Sequence, residues 1–309
     1  MSSTEKRITV KDFEAAWGET LSAFVKKKIA AAPLRYRHLT QSERDDAIRT
    51  MVDFLLSDFV VYAGEHRHPQ WEKGWGENAA AFQKTGALTD ATPRYFGKYP
   101  INRFRQELIY AVDNQFELGM LSVLQYWLFE KYLKTFATVY EFGCGTGHNL
   151  LRLREVNPTA ELWGLDWATS SQKMLRALAR TRKDTHLKAH HFDFFNPDRT
   201  FTLDPKGALY TFAALEQTGT RYKKFIAYLL KNKPALCVHI EPTGETLDSS
   251  HLLDYLSIRY FQKRKYLQGF ITHLQQLEKQ GKIEIVSIQR SYIGSFYIDG
   301  YSIIVWRPR

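Results

Sequence analysis

The sequence predicts an α/β protein in two parts: a helical amino-terminal region over residues 1–135, then, over 136–309, a mostly parallel sheet whose strands alternate with helices. Three observations predict this. Short apolar runs bounded by turn residues recur from residue 137 to residue 306, and stretches with apolar residues at helical spacing separate the first five of them. The first run ends in an acid and a glycine-rich turn, Glu141-Phe142-Gly143-Cys144-Gly145-Thr146-Gly147. Before residue 135 the apolar period is that of helices.

In chain order, 11–31 is the first helical candidate. Thr40-x-x-Glu43 matches a capping box and precedes Ile48, Met51, Val52, Leu55, Leu56 and Phe59 at helix spacing. The stretch 66–100 carries Trp71, Trp75, Tyr95, Phe96 and Tyr99 among the turn signals Gly74, Gly76, Pro93 and Pro100, and reads as a loop packed over the core. An apolar helical stretch, 102–136, then leads into the first strand, at 137–140. Helical spacing resumes at His148 with Leu150, Leu151 and Leu153, so the free N–H groups of a helix start point at whatever sits on the glycine turn. Further strands are expected at 161–166, 187–191, 207–214, 235–241, 282–289 and 300–306. A long helix, with a possible break at Gly269, fills 248–280. No helix fits between the last two strands, which therefore form an antiparallel hairpin at a sheet edge.

Glycine in the turn allows a ligand to approach the backbone closely. The dinucleotide fingerprint G-x-G-x-x-G requires a third glycine where this chain has His148. The spacing Gly143, Gly145, Gly147 after Glu141, with Asp166 ending the second strand and Asp193 following the third, instead resembles class I S-adenosylmethionine (SAM) methyltransferases. The order of strands and helices from about residue 135 onward resembles their whole core. The resemblance implies a Rossmann-like seven-stranded methyltransferase sheet with a helical amino-terminal cap, and SAM as cofactor. It implies a cofactor site formed by Glu141, Gly143, Cys144, Gly145, Gly147, Asp166, Trp167, Asp193, Phe194 and Phe212. Asp166 would accept the ribose hydroxyls, and Asp193 would meet the adenine amino group between apolar neighbours. It further implies that the segment before the first strand covers the cofactor and selects the substrate. By position in the chain, Tyr95, Arg103 and Arg105 become candidates to reach the methionyl carboxylate or the acceptor.

Composition bounds the alternatives. The 309 residues are 44% hydrophobic and 25% charged, the usage of a soluble globular protein. No apolar run reaches the ~18 residues of a membrane span, and the amino terminus lacks the apolar segment of a secretory signal. With Cys144 in the turn and Cys237 in a strand, no disulfide is expected, and a reducing cytoplasm is the expected location. The net charge of +10 invites a nucleic-acid reading. Its excess lies mostly on 136–309, partly at Arg176, Arg180, Arg182 and Lys183 late in a helix, where cations complement the dipole. Arg221, Lys223 and Lys224 open the helix after the fourth strand and could face an anionic substrate group; a solvated surface is the alternative.

Methyl transfer from SAM is an in-line displacement. A neutral amine needs positioning alone, whereas an alcohol needs a base. Ligands of open α/β sheets sit beyond the carboxyl ends of the strands, which singles out Glu216, His239 and Glu241 as catalytic candidates. Each has a plainer reading: a helix-start acid, a hydrogen-bonded core histidine and a loop-capping carboxylate. His148 could contact the cofactor carboxylate. Tyr255, Arg259, Tyr260, Arg264 and Tyr266 suit either polar substrate recognition or packing. No metal-ligand spacing occurs. The function expected is methyl transfer from SAM to an oxygen or nitrogen of a polar small molecule or sugar unit. The alternatives are a peptide, protein or RNA methyltransferase, and a catalytically inactive SAM-binding partner subunit.

Overall fold

The computed structural model describes residues 4–309. The seven-stranded sheet is present. Its strands are β5 (Thr138–Phe142), β6 (Glu161–Asp166), β7 (Leu187–His191), β8 (Ala208–Phe212), β9 (Leu236–Glu241), β10 (Ile283–Arg290) and β12 (Ser302–Pro308). They lie in the order β10-β12-β9-β8-β5-β6-β7. The first five are parallel, and β12 runs antiparallel to both β9 and β10. The hairpin expected at the edge is therefore present, with its second strand on the inside. β5 sits between β6 and β8, so the chain winds outward from it in both directions. That switch point opens a crevice at the carboxyl ends of β5, β6 and β8.

One face of the sheet carries α5 (Phe116–Tyr132), α6 (His148–Val156) and α7 (Thr169–Arg182); the other carries α8 (Lys223–Asn232) and α10 (Phe270–Lys279). α5 is apolar on every side, because it is wedged between the sheet and the amino-terminal helices. The 248–280 stretch is two helices, α9 (Leu252–Arg264) and α10, joined through Gly269 at φ +68°.

The amino-terminal part differs from the all-helical expectation. Its helices are α1 (Val10–Trp17), α2 (Ala23–Ala31), α3 (Gln41–Leu56) and α4 (His68–Thr85). Beside them lies an antiparallel sheet of β1 (Lys6–Arg7), β2 (Arg35–His38), β3 (Ile101–Phe104), β4 (Glu107–Ala111) and β11 (Ile293–Gly294), ordered β1-β2-β4-β3-β11. The single helix expected over 11–31 is divided at Gly18, whose left-handed backbone (φ +70°) ends α1, before Ser22 caps α2. The helix expected over 102–136 begins only at Phe116; the hairpin β3–β4 precedes it. The capping box at Thr40 and Glu43 forms, and Glu43 also pairs with Arg37. Leu56 and Phe59, read as part of the apolar face of that helix, stand exposed beyond the packed residues.

The 66–100 stretch is largely ordered as α4, where a loop was expected. Gly74 and Gly76 weaken helix propensity by about 1 kcal/mol each. Pro69 in the first turn and the left-handed Gly86 after the last supply start and stop signals that outweigh this. One apolar core runs through both parts of the chain, from Ile8 and Phe13 through α5 to Val139 and Val305. Trp17 stacks on Trp127 at 4.0 Å.

Candidate functional site

The largest concentration of sequence-predicted residues lies at the switch-point crevice. After β5 the backbone turns through Gly143, Gly145 and Gly147, all at positive φ, into α6. The Gly143 and Cys144 N–H groups donate to Leu165 O at the end of β6 (2.7 and 3.1 Å), which fastens the turn to the neighbouring strand. A Cβ on Gly143 would lie 2.3 Å from Ala214 Cβ. The turn thus requires glycine both for its dihedral and for the approach of the β8 loop.

Asp166 organises this end of the sheet. It accepts from Gly145 N (2.8 Å) through Oδ2 and from Ala168 N (2.9 Å) through Oδ1, so one carboxylate ties together the loops after β5 and β6. Burial pushes its carboxyl up to about 6, opposed by the two backbone donors. It still borders the cleft, as do Gly143, Cys144, Gly145, Trp167, Asp193, Phe194 and Phe212. The cleft holds about 770 Å³ of space open to solvent.

Two of the expected cofactor residues lie behind the cleft. Glu141 is fully buried; Asn149 Nδ2 (2.7 Å) and Tyr210 Oη (2.9 Å) donate to it, and burial pushes its carboxyl up to about 8. It holds the start of α6 against β8. Gly147 faces Leu175: a Cβ there would lie 2.8 Å from Leu175 Cδ2, so this glycine serves helix packing.

The roof comes from the amino-terminal part. α4 lies against α7, where the Ser170 N–H donates to Glu72 Oε1 (3.0 Å) and the Ser170 hydroxyl to Glu72 O (3.1 Å). This brings Trp71, Trp75 and His68 onto the cleft wall. Trp75 is set directly over the turn: a Cβ on Gly145 would lie 3.0 Å from its Cζ2. His68 stacks on Trp167 at 3.8 Å, and Thr146 Oγ1 donates to Ala91 O. Tyr95, half-exposed, lines the cleft too, and desolvation raises its phenol. His148 also borders the cleft and is held neutral by burial. Sequence reasoning named Trp71 and Trp75 only as loop aromatics and did not single out His68. Their signal was Trp71 and Trp75 at a spacing of four, on one helical face behind Pro69.

Arg103 is not at the cleft. It is buried in a separate network, donating to Phe296 O (3.1 Å), Leu253 O (2.9 Å) and Ser257 Oγ (2.7 Å), with Asp299 at 3.6 Å, and burial lowers it to about 10. The register of β3 points it into the seam between the small sheet and α9. Arg105 lies in the β3–β4 turn at φ +51°, on the surface.

The three catalytic candidates do not line the cleft either. His239 points into the apolar layer beneath α8 and α10, among Phe225, Phe270 and Trp306; Nδ1 pairs with Thr211 Oγ1 (3.0 Å), and burial lowers it to about 3. Alternation along β9 puts Glu241 on the same face. Its carboxyl accepts from the backbone N–H groups of Ala214, Leu215 and Glu216 at 3.1–3.3 Å, holding the β8 loop. Burial and the facing Glu216 push it well above the ordinary carboxylate range. Glu216 is buried behind Gln217, whose Nε2 donates to it (3.0 Å) and whose Oε1 accepts from Arg67 (3.0 Å). Of the hydrogen-bonded Glu216, Gln217 and Arg67, Gln217 is the one that reaches the cleft.

Arg221 pairs with Glu65 and lies over the Phe195 ring, while Lys224 donates to Asn196; neither borders the cleft. Tyr260 and Tyr266 pack in a small cluster with Phe261. Among the described residues, no group of His, Cys, Asp and Glu is placed to hold a metal, and no helix is long and apolar enough to cross a membrane.

No protein-family model matches the chain, and no curated protein does. Solved structures with a similar fold include the N-methyltransferase NodS from Bradyrhizobium japonicum WM9 with S-adenosyl-L-homocysteine (SAH), at 14% identity and TM-score 0.44, covering 60% of this chain and 84% of that one. The magnesium protoporphyrin IX methyltransferase ChlM from Synechocystis PCC 6803 with bound SAH matches at 14% and 0.44, covering 62% and 83%. RosA from Streptomyces davawensis, an N,N-8-amino-8-demethyl-D-riboflavin dimethyltransferase, matches at 15% and 0.43, covering 98% and 89%. At these identities and scores the likenesses bear no weight for the chemistry of this chain.

Proposed function

We propose that this chain binds SAM in the switch-point cleft and transfers its methyl group to an oxygen or nitrogen of a polar small molecule or sugar unit. The observation that carries the reading is the charge of the cleft. The chain has a net charge of +10, yet among the described residues no lysine or arginine borders the cleft, whose lining includes Asp166 and Asp193; Arg67 and Arg221 lie behind it, against the Trp71 and Phe195 rings. A nucleic-acid phosphate backbone would call for the opposite balance. A cofactor bearing a sulfonium, an ammonium and an adenosine suits it.

The residues fit such a group. Asp166 retains lone pairs for ribose hydroxyls after serving its two backbone donors. Asp193, beside Phe194 and Trp167, offers an acceptor at the edge of an aromatic slot suited to adenine. Gly143, Cys144, Gly145 and Thr146 of the turn border the space that the cofactor's methionyl end would fill. Bound SAM would supply the electrophilic methyl group. α4 and the Pro93–Tyr95 segment exclude water above the turn, and Tyr95 and Gln217 present polar atoms to an acceptor. With Glu216, His239 and Glu241 outside the cleft, transfer to a nitrogen falls to proximity and orientation, and an oxygen acceptor would give its proton to another residue bordering the cleft, such as His68 or Asp193. The roof favours a small acceptor over a folded macromolecule.

Calorimetric titration with SAM, SAH and NAD tests the cofactor. SAM and SAH are expected to bind; NAD binding without SAM binding would overturn the assignment. Release of SAH in the presence of a metabolite panel then separates an enzyme from a binding module.

A further inference from the structure

Trp75 stands apart from the other aromatics of the cleft. Its indole lies so close to the glycine turn that a Cβ at position 145 would press on it, at 3.0 Å from Cζ2 and 3.2 Å from Cε2. The ring is fixed from two sides. Trp71 stacks on it at 5.4 Å and 22°, and Tyr95 meets it edge-on at 6.4 Å. α4 is in turn anchored on α7 through Glu72 and Ser170.

The two tryptophans differ in their cations. The Arg67 guanidinium lies 4.8 Å from the Trp71 ring, and Gln217 and Gln70 accept from it. Among the described residues no lysine or arginine stands over Trp75, although it borders a cleft containing two carboxylates and no fixed positive side chain. A desolvated indole face is the strongest aromatic site for an organic cation.

Resting on the SAM reading above, we propose that Trp75 is a specificity-determining residue that recognises the charge of the cofactor: its indole face holds the sulfonium, so that the cleft prefers SAM to the neutral thioether SAH. Methyl transfer removes that charge. Demethylation therefore loosens the cofactor at the place where it is held, which favours product release. The α-ammonium, the carboxylate and the adenosine are common to both molecules and cancel in the comparison.

The test is a ratio of affinities. Dissociation constants for SAM, SAH and sinefungin, which carries an ammonium in the region of the sulfonium, are measured by calorimetry on the full chain and on Trp75→Leu and Trp75→Phe. The wild type is expected to bind SAM and sinefungin more tightly than SAH. Trp75→Leu should lose about tenfold for the two charged ligands and less than about twofold for SAH, with Trp75→Phe between. Equal losses for all three would show that Trp75 contributes shape or faces the shared ammonium, and would overturn the proposal while leaving the SAM reading intact. Failure of the wild type to bind any of them would remove the cofactor reading and this inference with it. Should Trp75→Leu not fold, judged by its melting curve, the same ratio on Trp75→Phe decides: an unchanged preference for SAM counts against the proposal.

Discussion

At the scale of single residues, buried carboxyls decide how this site responds to pH. Asp166 is raised from 3.8 to about 6, chiefly by burial. Its proton is therefore bound more tightly in the folded chain, and the stability this contributes is lost as pH rises from about 4 to 6. Cofactor affinity runs the other way, because ribose hydroxyls donate best to the ionised carboxylate. SAM affinity is expected to weaken as pH falls below about 6, and Asp166→Asn should flatten that dependence. Asp166→Ala should lower affinity at pH 7.5 by at least about tenfold, given charged hydrogen bonds of roughly 1.5–3 kcal/mol each. An unchanged dissociation constant would remove Asp166 from the ribose site. Glu141, raised from 4.5 to about 8, gives a second case. Its contribution to stability is full below about 4.5 and is gone above about 8. Urea midpoints measured across that window should fall less steeply for Glu141→Gln than for the wild type. Glu141→Ala should be destabilised throughout, since Asn149 and Tyr210 lose their acceptor. Parallel slopes for wild type and Gln would show that Glu141 is ionised in the folded state.

At the scale of elements, the informative one is α4. Its apolar moment is modest and it contains Gly74 and Gly76, so helix propensity alone did not reveal it. What fixes it is tertiary: the Glu72 carboxylate accepts from the N–H of Ser170 in the first turn of α7, where a negative charge also complements the helix dipole. Glu72→Ala is expected to loosen the roof without unfolding the protein. Stopped-flow displacement should show SAM dissociating several-fold faster, with a melting temperature within a few degrees of wild type. An unaltered off-rate would mean that α4 does not gate the cofactor. The strands of the sheet were legible because each is a short apolar run with turn residues on either side. The hairpin β3–β4 was not, because Leu108, Ile109 and Val112 merge with the apolar residues of α5 into one apparent helical stretch.

At the scale of the whole molecule, the amino-terminal and carboxyl-terminal parts are interlocked. β11, from near the carboxyl end, pairs with β3, and Trp17 Nε1 donates to Ser291 O at 2.9 Å. Residues from Ile8 to Val305 belong to one buried cluster. A fragment beginning at residue 136 would expose the sheet face that α5 covers, and it would lose the roof of the cleft. Such a fragment is expected to be aggregated or molten, with no cooperative melting transition and no SAM binding. A monomeric, cooperatively folding fragment that binds SAM would show that the first 135 residues are dispensable to the core.

The sequence by itself determined the sheet, the glycine turn and the two strand-end acids, Asp166 and Asp193. These depend on local signals: apolar runs, positive-φ glycines and the position of an acid at the end of a run. Only the tertiary structure decided which strand-tip groups face the cleft. Alternation placed His239 and Glu241 on one face of β9 but could not say that α8 and α10 cover that face, and Glu216 lies at the right tip yet behind Gln217. The same holds for Arg103, whose charge suggested a ligand and whose partners, Asp299 and the carbonyls of Leu253 and Phe296, lie far along the chain. It holds too for Trp75, which meets Gly145 only because α4 docks on α7. Local patterns specify elements, whereas the surroundings of a side chain are set by the packing of segments distant in sequence, which no short window contains.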